Sequence, residues 1–250
     1  MSIRNKIYFA SDFHLGVPDH ASSLEREKRV VRWLDEVSKD ASDIYLVGDL
    51  FDFWFEFKAV VPKGFTRLLG KMSEISDKGI NLHVFHGNHD LWMFGYFEQE
   101  IGCKVYPKPV TVELLGKKFH IAHGDGLGPG QTFFKFILGI YRNYFFQRLF
   151  AFFHPNIGIT VANWFSHRSK QQTFTEDQVY LGDDKEYLML YAKEQVKQDD
   201  TIDYVILGHR HLPFDKKMGE THVINLGDWM RYNTYVVYDG KTVELKTYEG

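Results

Sequence analysis

KIYFASDFHL, Lys6 to Leu15, is the stretch from which the fold can be read. Lys6 to Ser11 is a short apolar run of the kind that forms a buried strand, and it leads directly into Asp12-Phe13-His14. The period-two spacing of extended chain sends Asp12 and His14 the same way. The same design recurs along the chain. Asp43 to Val47 (DIYLV) ends on Gly48-Asp49, and Ile80 to Phe85 (INLHVF) ends on His86 and then Gly87-Asn88-His89-Asp90. A hairpin of Val110–Leu115 and Lys117–Ala122 about Gly116 ends on His123-Gly124-Asp125, and Asp203 to Leu207 (DYVIL) ends on Gly208-His209-Arg210-His211. Loops at one edge of a sheet can converge in space although a hundred residues separate them in sequence.

Between these runs the spacing predicts helices over Ser22–Lys39, with Leu24, Val30, Val31, Leu34 and Val37 on one face, over about Gly64–Lys78, and over about Asp184–Lys197. Strands follow at His222–Leu226, Thr234–Tyr238 and Thr242–Tyr248, the last two joined at Asp239-Gly240. Strands alternating with helices predict an α/β sandwich, and the absence of repeats or linkers predicts one domain over residues 1–250. Gly130 to Ser169 breaks the rhythm with a run of aromatics and reads as a helical insertion, a cap over about residues 130–170. Lys135, Arg142 and Arg148, then Pro155, Asn156 and Gly158, interrupt it too often for a membrane span.

The chain has 250 residues, 44% of them hydrophobic, with 30 Lys+Arg against 33 Asp+Glu for a net charge of -3. That length buries a full core, which excludes intrinsic disorder, and that charge offers no field to hold a nucleic-acid backbone. The single Cys103 cannot form an internal disulfide, and the first residues lack the pattern of a signal peptide, so a cytoplasmic setting is expected. No Gly-x-Ser-x-Gly motif and no basic pattern around Cys103 support covalent acyl chemistry.

Oxygen and imidazole donors without thiolates suit Mn²⁺, Fe or Zn²⁺, and one carboxylate can bridge two such ions. Seven candidate ligands among these motifs are enough for two ions sharing Asp49. Such a pair clamps a phosphoryl group and activates a water for attack on phosphorus, so no nucleophilic side chain is needed.

In this order the five motifs resemble those of the calcineurin-like metallophosphoesterase superfamily. The resemblance implies a four-layer α/β/β/α sandwich, one ion on Asp12, His14, Asp49 and His211, and a second on Asp49, Asn88, His123 and His209. It also implies that His89, paired with Asp90, sits beside the phosphate to stabilise charge or protonate the leaving group. GDLFDFW (Gly48–Trp54), HGDGL (His123–Leu127) and LGDW (Leu226–Trp229) are similar to the UDP-2,3-diacylglucosamine pyrophosphatases of lipid A synthesis, over nearly the whole chain. That narrower likeness implies release of UMP and 2,3-diacylglucosamine 1-phosphate, with Mn²⁺ as the usual metal, by a protein peripheral to the inner face of the membrane. It implies substrate contacts at Asn88, His89, Gln131, Ser166, Arg168, Lys170 and His209. His89 departs from the arginine of the best-studied branch, and Gln131 from its usual acidic residue.

Several residues have a plainer reading. His20, His83, His86, His120, His154, His167 and His222 are left outside the metal shell; His83 and His120 are expected to be structural, and His86 to be structural or a support to the ligands. Asp52, Asp125 and Asp228 are expected either to hold the far N–H of a metal-bound imidazole or simply to solvate their loops. The aromatics of the insertion are expected to line a groove for acyl chains, the plainer alternative being the insertion's own core. Two rival functions are a phosphodiesterase of the same fold acting on a soluble nucleotide or nucleic acid, and a scaffold without catalysis. The net charge and the apolar insertion weigh against a nucleic-acid partner, and the gapless ligand set against a scaffold.

Overall fold

The computed structural model describes residues 4–161 and 179–250, and among these residues eleven strands and five helices, with a further helical stretch over 155–161, position the motif loops. The strands are β1 (Lys6–Ala10), β2 (Ala41–Leu46), β3 (Asn81–Phe85), β4 (Lys104–Tyr106), β5 (Val110–Leu114), β6 (Lys117–Ala122), β7 (Tyr204–Leu207), β8 (Phe214–Met218), β9 (Thr221–Asn225), β10 (Thr234–Tyr238) and β11 (Val243–Thr247). The helices are α1 (His20–Val37), α2 (Thr66–Asp77), α3 (Thr132–Arg142), α4 (Tyr144–Ala151) and α5 (Tyr187–Gln198). Six strands form one sheet in the order β11-β10-β1-β2-β3-β4, and five form a second in the order β5-β6-β7-β9-β8. Within the first sheet β1 to β4 run parallel, and within the second β6, β7 and β9 do.

Strand alternation makes four layers out of these two sheets. Ile7 and Phe9 of β1 point inward with Tyr45, Phe85, Phe119, Ile121, Ile206 and Ile224 to form the core between the sheets. Tyr8 and Ala10 point the other way and pack with Ile44 and Leu46 against Trp33 and Leu34 of α1 and Leu68 and Met72 of α2. On the far side Val205, Leu207 and Val223 pack against Leu188, Met189 and Ala192 of α5. Strands buried on both faces read as continuous apolar runs such as YVIL, which is why they stand out in the sequence. The α/β/β/α sandwich expected from the sequence is the architecture observed.

The helix ends follow from their caps. The α1 helix begins two residues before the expected Ser22 because Asp19 caps it, its Oδ1 accepting from the Ser22 N–H at 2.9 Å. At α2 no local side chain does this, and the cap comes from α1: Glu27 Oε1 accepts from the N–H groups of Arg67 and Leu68 at 2.9 and 3.1 Å. Two strands and one turn went unread in the sequence. β4 is only three residues long, β8 is an edge strand whose FDKKM carries three charges, and Phe97–Ile101 form a single π-helical turn.

The insertion is helical where it is described, with α3, α4 and helical residues 155–161. Ser166, Arg168 and Lys170 lie outside the described residues. Only Leu138 of α3 is buried and no residue of α4 is, so most of the aromatics are not a private core. Phe150 is the anchor: its ring lies 4.8 Å from that of Phe55 and 5.0 Å from that of Trp92, centroid to centroid. No described helix is long and apolar enough to cross a membrane.

Candidate metal centre

Each expected ligand sits just beyond the carboxyl end of a parallel strand: Asp12 and His14 after β1, Asp49 after β2, Asn88 after β3, His123 after β6, and His209 and His211 after β7. The two sheets bring these ends together, and the loops are bonded to one another. The N–H of Asp12 donates to Gly48 O at 3.1 Å, that of His14 to Asp49 O at 3.0 Å, and that of Gly208 to His123 O at 2.8 Å. Four residues of the cluster hold left-handed backbone without being glycine: Asp12 (φ 57°), His14 (φ 44°), Asp49 (φ 53°) and His209 (φ 65°). Such strain persists where the surroundings over-determine it, and it collects at functional sites. Glycine at position 87 is a packing requirement, since a Cβ there would collide with the Asp49 carboxylate.

Asp49 is the hub. Its Oδ1 accepts from the His89 N–H at 2.9 Å, while its Oδ2 faces His14 Nε2 at 3.6 Å and His123 Nε2 at 3.3 Å. Asp12 divides its oxygens in the same way. Oδ2 accepts from Ser11 Oγ and from the His209 N–H, and Oδ1, buried and without a hydrogen bond, faces His14 Nε2 at 3.5 Å and His211 Nε2 at 3.6 Å. His14 Nε2 and His211 Nε2 face each other at 3.1 Å. Three groups of potential donor atoms result: Asp12, His14 and His211; His14, Asp49 and His89; and Asp49, His123 and His209.

These spacings fit metal ions. Donor atoms held about 2.1 Å from a common ion at the corners of an octahedron or tetrahedron stand roughly 3.0 to 3.4 Å apart, and the separations above run from 3.1 to 3.6 Å. The imidazoles are turned for the same purpose. His123 Nδ1 donates to Val47 O at 2.8 Å, and His89 Nδ1 donates to Asp52 O at 2.9 Å. His14 Nδ1 faces Asp52 Oδ1 at 3.6 Å and His211 Nδ1 faces Asp228 Oδ2 at 3.9 Å, so each ring presents Nε2 to the cluster.

Electrostatics follow from burying this many like groups. Burial, and then the charge of Asp49, pushes the Asp12 carboxyl up to about 8. Burial also acts to raise Asp49, yet His123, His89 and His14 outweigh it and hold that carboxyl well below its ordinary range. His123 is raised well above its ordinary value by Asp49 and Asp12 despite burial, whereas burial and the nearby His123 drive His209 well below. Asp49 and His123 thus favour each other's charged form, whereas burial disfavours charge on Asp12 and His209.

A family model described as calcineurin-like phosphoesterase matches residues 5–213. The chain belongs to that family. The phosphoesterase is 39% identical over 261 residues to a UDP-2,3-diacylglucosamine hydrolase of Porphyromonas gingivalis (strain ATCC BAA-308 / W83), the match covering 99% of each chain. It is 24% identical over 245 residues to a protein of the same name from Yersinia pseudotuberculosis serotype O:1b (strain IP 31758), covering 96% of this chain and 98% of that one. Among solved structures, a phosphoesterase from E. coli aligns at 16% identity with a TM-score of 0.48, covering 97% of this chain and 92% of that one.

The structure brings Asp12, His14, Asp49, His89, His123, His209 and His211 together. Asn88 lies in the same loop as His89, its Oδ1 buried and without a hydrogen bond. Gln131 stands at the start of α3 in left-handed backbone (φ 54°), its Oε1 also buried without a hydrogen bond. The expected pairing of His89 with Asp90 is corrected. Asp90 points into the protein and accepts backbone N–H groups from Asp49, Leu50, Phe51 and Gly87, and the partner of His89 is Asp52. Consecutive residues of a tight turn point apart, so adjacency in sequence misled here.

Asp52 and Asp228 face ligand imidazoles, whereas Asp125 does something else: its Oδ2 takes Arg142 Nη2 at 2.7 Å and ties the end of α3 to the His123 loop. Phe134 of α3 stacks on His209 with centroids 5.7 Å apart. Nothing in the sequence pairs these distant residues. His83, between Asp43 and Tyr106, and His120, between Thr111 and Tyr191, are structural as expected. His86 keeps Nε2 buried without a hydrogen bond, and burial lowers it to about 4.

Proposed function

We propose that the phosphoesterase hydrolyses the pyrophosphate of UDP-2,3-diacylglucosamine to UMP and 2,3-diacylglucosamine 1-phosphate, a step of lipid A synthesis. The observation that carries this reading is the end-to-end 39% identity to a protein named for that substrate. Asp12, His14, Asp49 and His211 would hold one divalent ion, and Asp49, Asn88, His123 and His209 a second, with Mn²⁺ the best-suited metal and Fe or Zn²⁺ as alternatives. Bound there, two such ions neutralise phosphoryl oxygens and bring the pKa of a water to roughly 7.

The chain's own groups supply the rest. Asp49 Oδ2, facing imidazoles of both groups, is the atom that joins the two halves of the site. With Nδ1 donating to the Asp52 carbonyl, His89 in its cationic form can donate from Nε2 to a phosphoryl oxygen or to the departing phosphate. Asp90, with its carboxylate spent on four backbone N–H groups, acts by holding the β2 and β3 loops in register. Asn88, His89, Gln131 and His209 face the substrate in this reading, joined by Ser166, Arg168 and Lys170.

Residues 1–250 are read as one domain whose insertion, about 130–170, caps the site. The exposed rings of Phe133, Phe136, Tyr144, Phe145 and Phe152 support an acyl-binding and membrane-facing role, which would place the protein in the cytoplasm at the inner face of the inner membrane. Incubating the Mn²⁺-loaded protein with UDP-2,3-diacylglucosamine and, separately, with a short soluble phosphodiester tests the reading. The expected products are UMP and a lipid monophosphate, at a kcat/KM far above that for the soluble ester. Turnover of the soluble ester alone would overturn the substrate assignment and leave a general phosphodiesterase.

A further inference from the structure

Beneath the cluster lies a charged side chain that the chemistry above does not use. Arg26, on the inner face of α1, is 6% exposed. Its Nη2 donates to the backbone carbonyl of His14 at 2.6 Å and to that of Val17. An arginine guanidinium keeps its charge at neutral pH even at this depth. An ion buried at this depth is costly unless its charge is used, and an apolar residue of similar volume would fill the space.

What surrounds the guanidinium shows the use. It grips the loop in which Asp12 and His14 hold left-handed backbone. The same loop runs on to Val17, whose carbonyl the guanidinium also holds. That loop supplies Asp12 and His14 to the group they form with His211. The other group has separate supports, with Val47 O holding His123. Resting on the dinuclear reading above, we propose that Arg26 is a positioning residue for the first ion, fixing through the His14 and Val17 carbonyls the backbone of the loop that carries Asp12 and His14. It touches neither the ion nor the substrate.

The neighbouring Glu27 provides an internal control. It is as buried as Arg26, on the same helix, and its carboxylate is tied instead to the start of α2. The metal-free wild type, Arg26→Met, Arg26→Lys and Glu27→Gln are titrated with Mn²⁺ by calorimetry, and the thermal midpoint of each metal-free form is measured. The wild type is expected to take up two equivalents. Arg26→Met should keep one site at wild-type affinity and weaken the other by about 10- to 100-fold, the range seen when supports of metal ligands are removed, and Arg26→Lys should recover part of that loss. Glu27→Gln should lower the thermal midpoint and leave both affinities unchanged.

Two equivalents at wild-type affinity in Arg26→Met, with only a lower midpoint, would overturn the proposal and leave the dinuclear reading standing. Fewer than two equivalents in the wild type would overturn both. Should Arg26→Met fail to fold, Arg26→Lys decides alone: weakening confined to one site supports the role, and unchanged binding refutes it.

Discussion

Asp49 differs from Asp12 in belonging to two of the donor groups, its Oδ2 facing both His14 and His123 while Oδ1 fixes the His89 loop. Asp49→Asn is therefore expected to abolish nearly all activity and both metal equivalents, with the fold intact by circular dichroism, whereas loss of a terminal ligand such as His211 should cost one equivalent. Activity within a few-fold of wild type would refute a shared carboxylate. His89→Ala is expected to lower turnover by about 10² to 10⁴ with metal content preserved, the range for a positioned acid or charge-stabilising donor. A fall in metal content by half would instead make His89 a ligand, as its proximity to His14 and Asp49 permits. At this scale the ligands were legible because each follows an apolar run and four of the five motifs carry a glycine. The backbone was not legible: left-handed Asp12, His14, Asp49 and His209 carry no local signal, since the strain is imposed by loops distant in sequence. Nor could sequence decide between Asp90 and Asp52 as the partner of His89, which depends on how one turn is twisted.

Among the elements, α4 shows most sharply how a sequence pattern can be read two ways. Its aromatics crowd successive positions, which fits an insertion core and a lipid-facing surface equally well, and only exposure separates the two. Phe145 is 67% exposed and Phe146 43%, while Phe150 is half-buried against Phe55, Phe57 and Trp92. Replacing Phe145 and Phe146 together by Ser should therefore leave the thermal midpoint unchanged. The same change should raise KM for the diacylated substrate by at least about tenfold, roughly 1.4 kcal/mol of lost apolar contact, with the short phosphodiester unaffected. Phe150→Ser should lower the midpoint and both activities, because it empties a packed site. A midpoint lowered equally by both changes would return α4 to the role of a core. Elsewhere, element detection followed burial. Strands enclosed on both faces, such as β1, β2 and β7, stood out as apolar runs; edge strand β8 and three-residue β4 did not, because neither carries a buried face along its length.

Across the whole molecule the cluster is a seam, with Asp12, His14, Asp49 and Asn88 on loops of the six-stranded sheet and His123, His209 and His211 on loops of the five-stranded one. Ions bound there would link the two sheets, so metal binding should appear as stability of the whole fold. Mn²⁺ at a hundred times its dissociation constant should add about 2.7 kcal/mol per site, or roughly 5 to 10 °C in a domain of this size. The pH dependence has a definite sign. In the metal-free protein Asp12 titrates at about 8 because of burial and Asp49, against about 3.9 unfolded. The native state then holds the extra proton between those values, so this group's contribution is fully present below about 4 and is lost as pH rises through 8. An ion must displace that proton and the one on His123, which Asp49 holds well above the ordinary histidine range. The metal-free protein therefore becomes less stable with respect to Asp12 over the range in which ion binding becomes easier. The gain in melting temperature on adding Mn²⁺ should accordingly be small at pH 6 and grow steadily to pH 8, with chelation reversing it and abolishing hydrolysis together. Melting curves at matched Mn²⁺ and several pH values check this, and a gain that is flat or falls with pH would mean that the metal binds elsewhere than at Asp12 and His123.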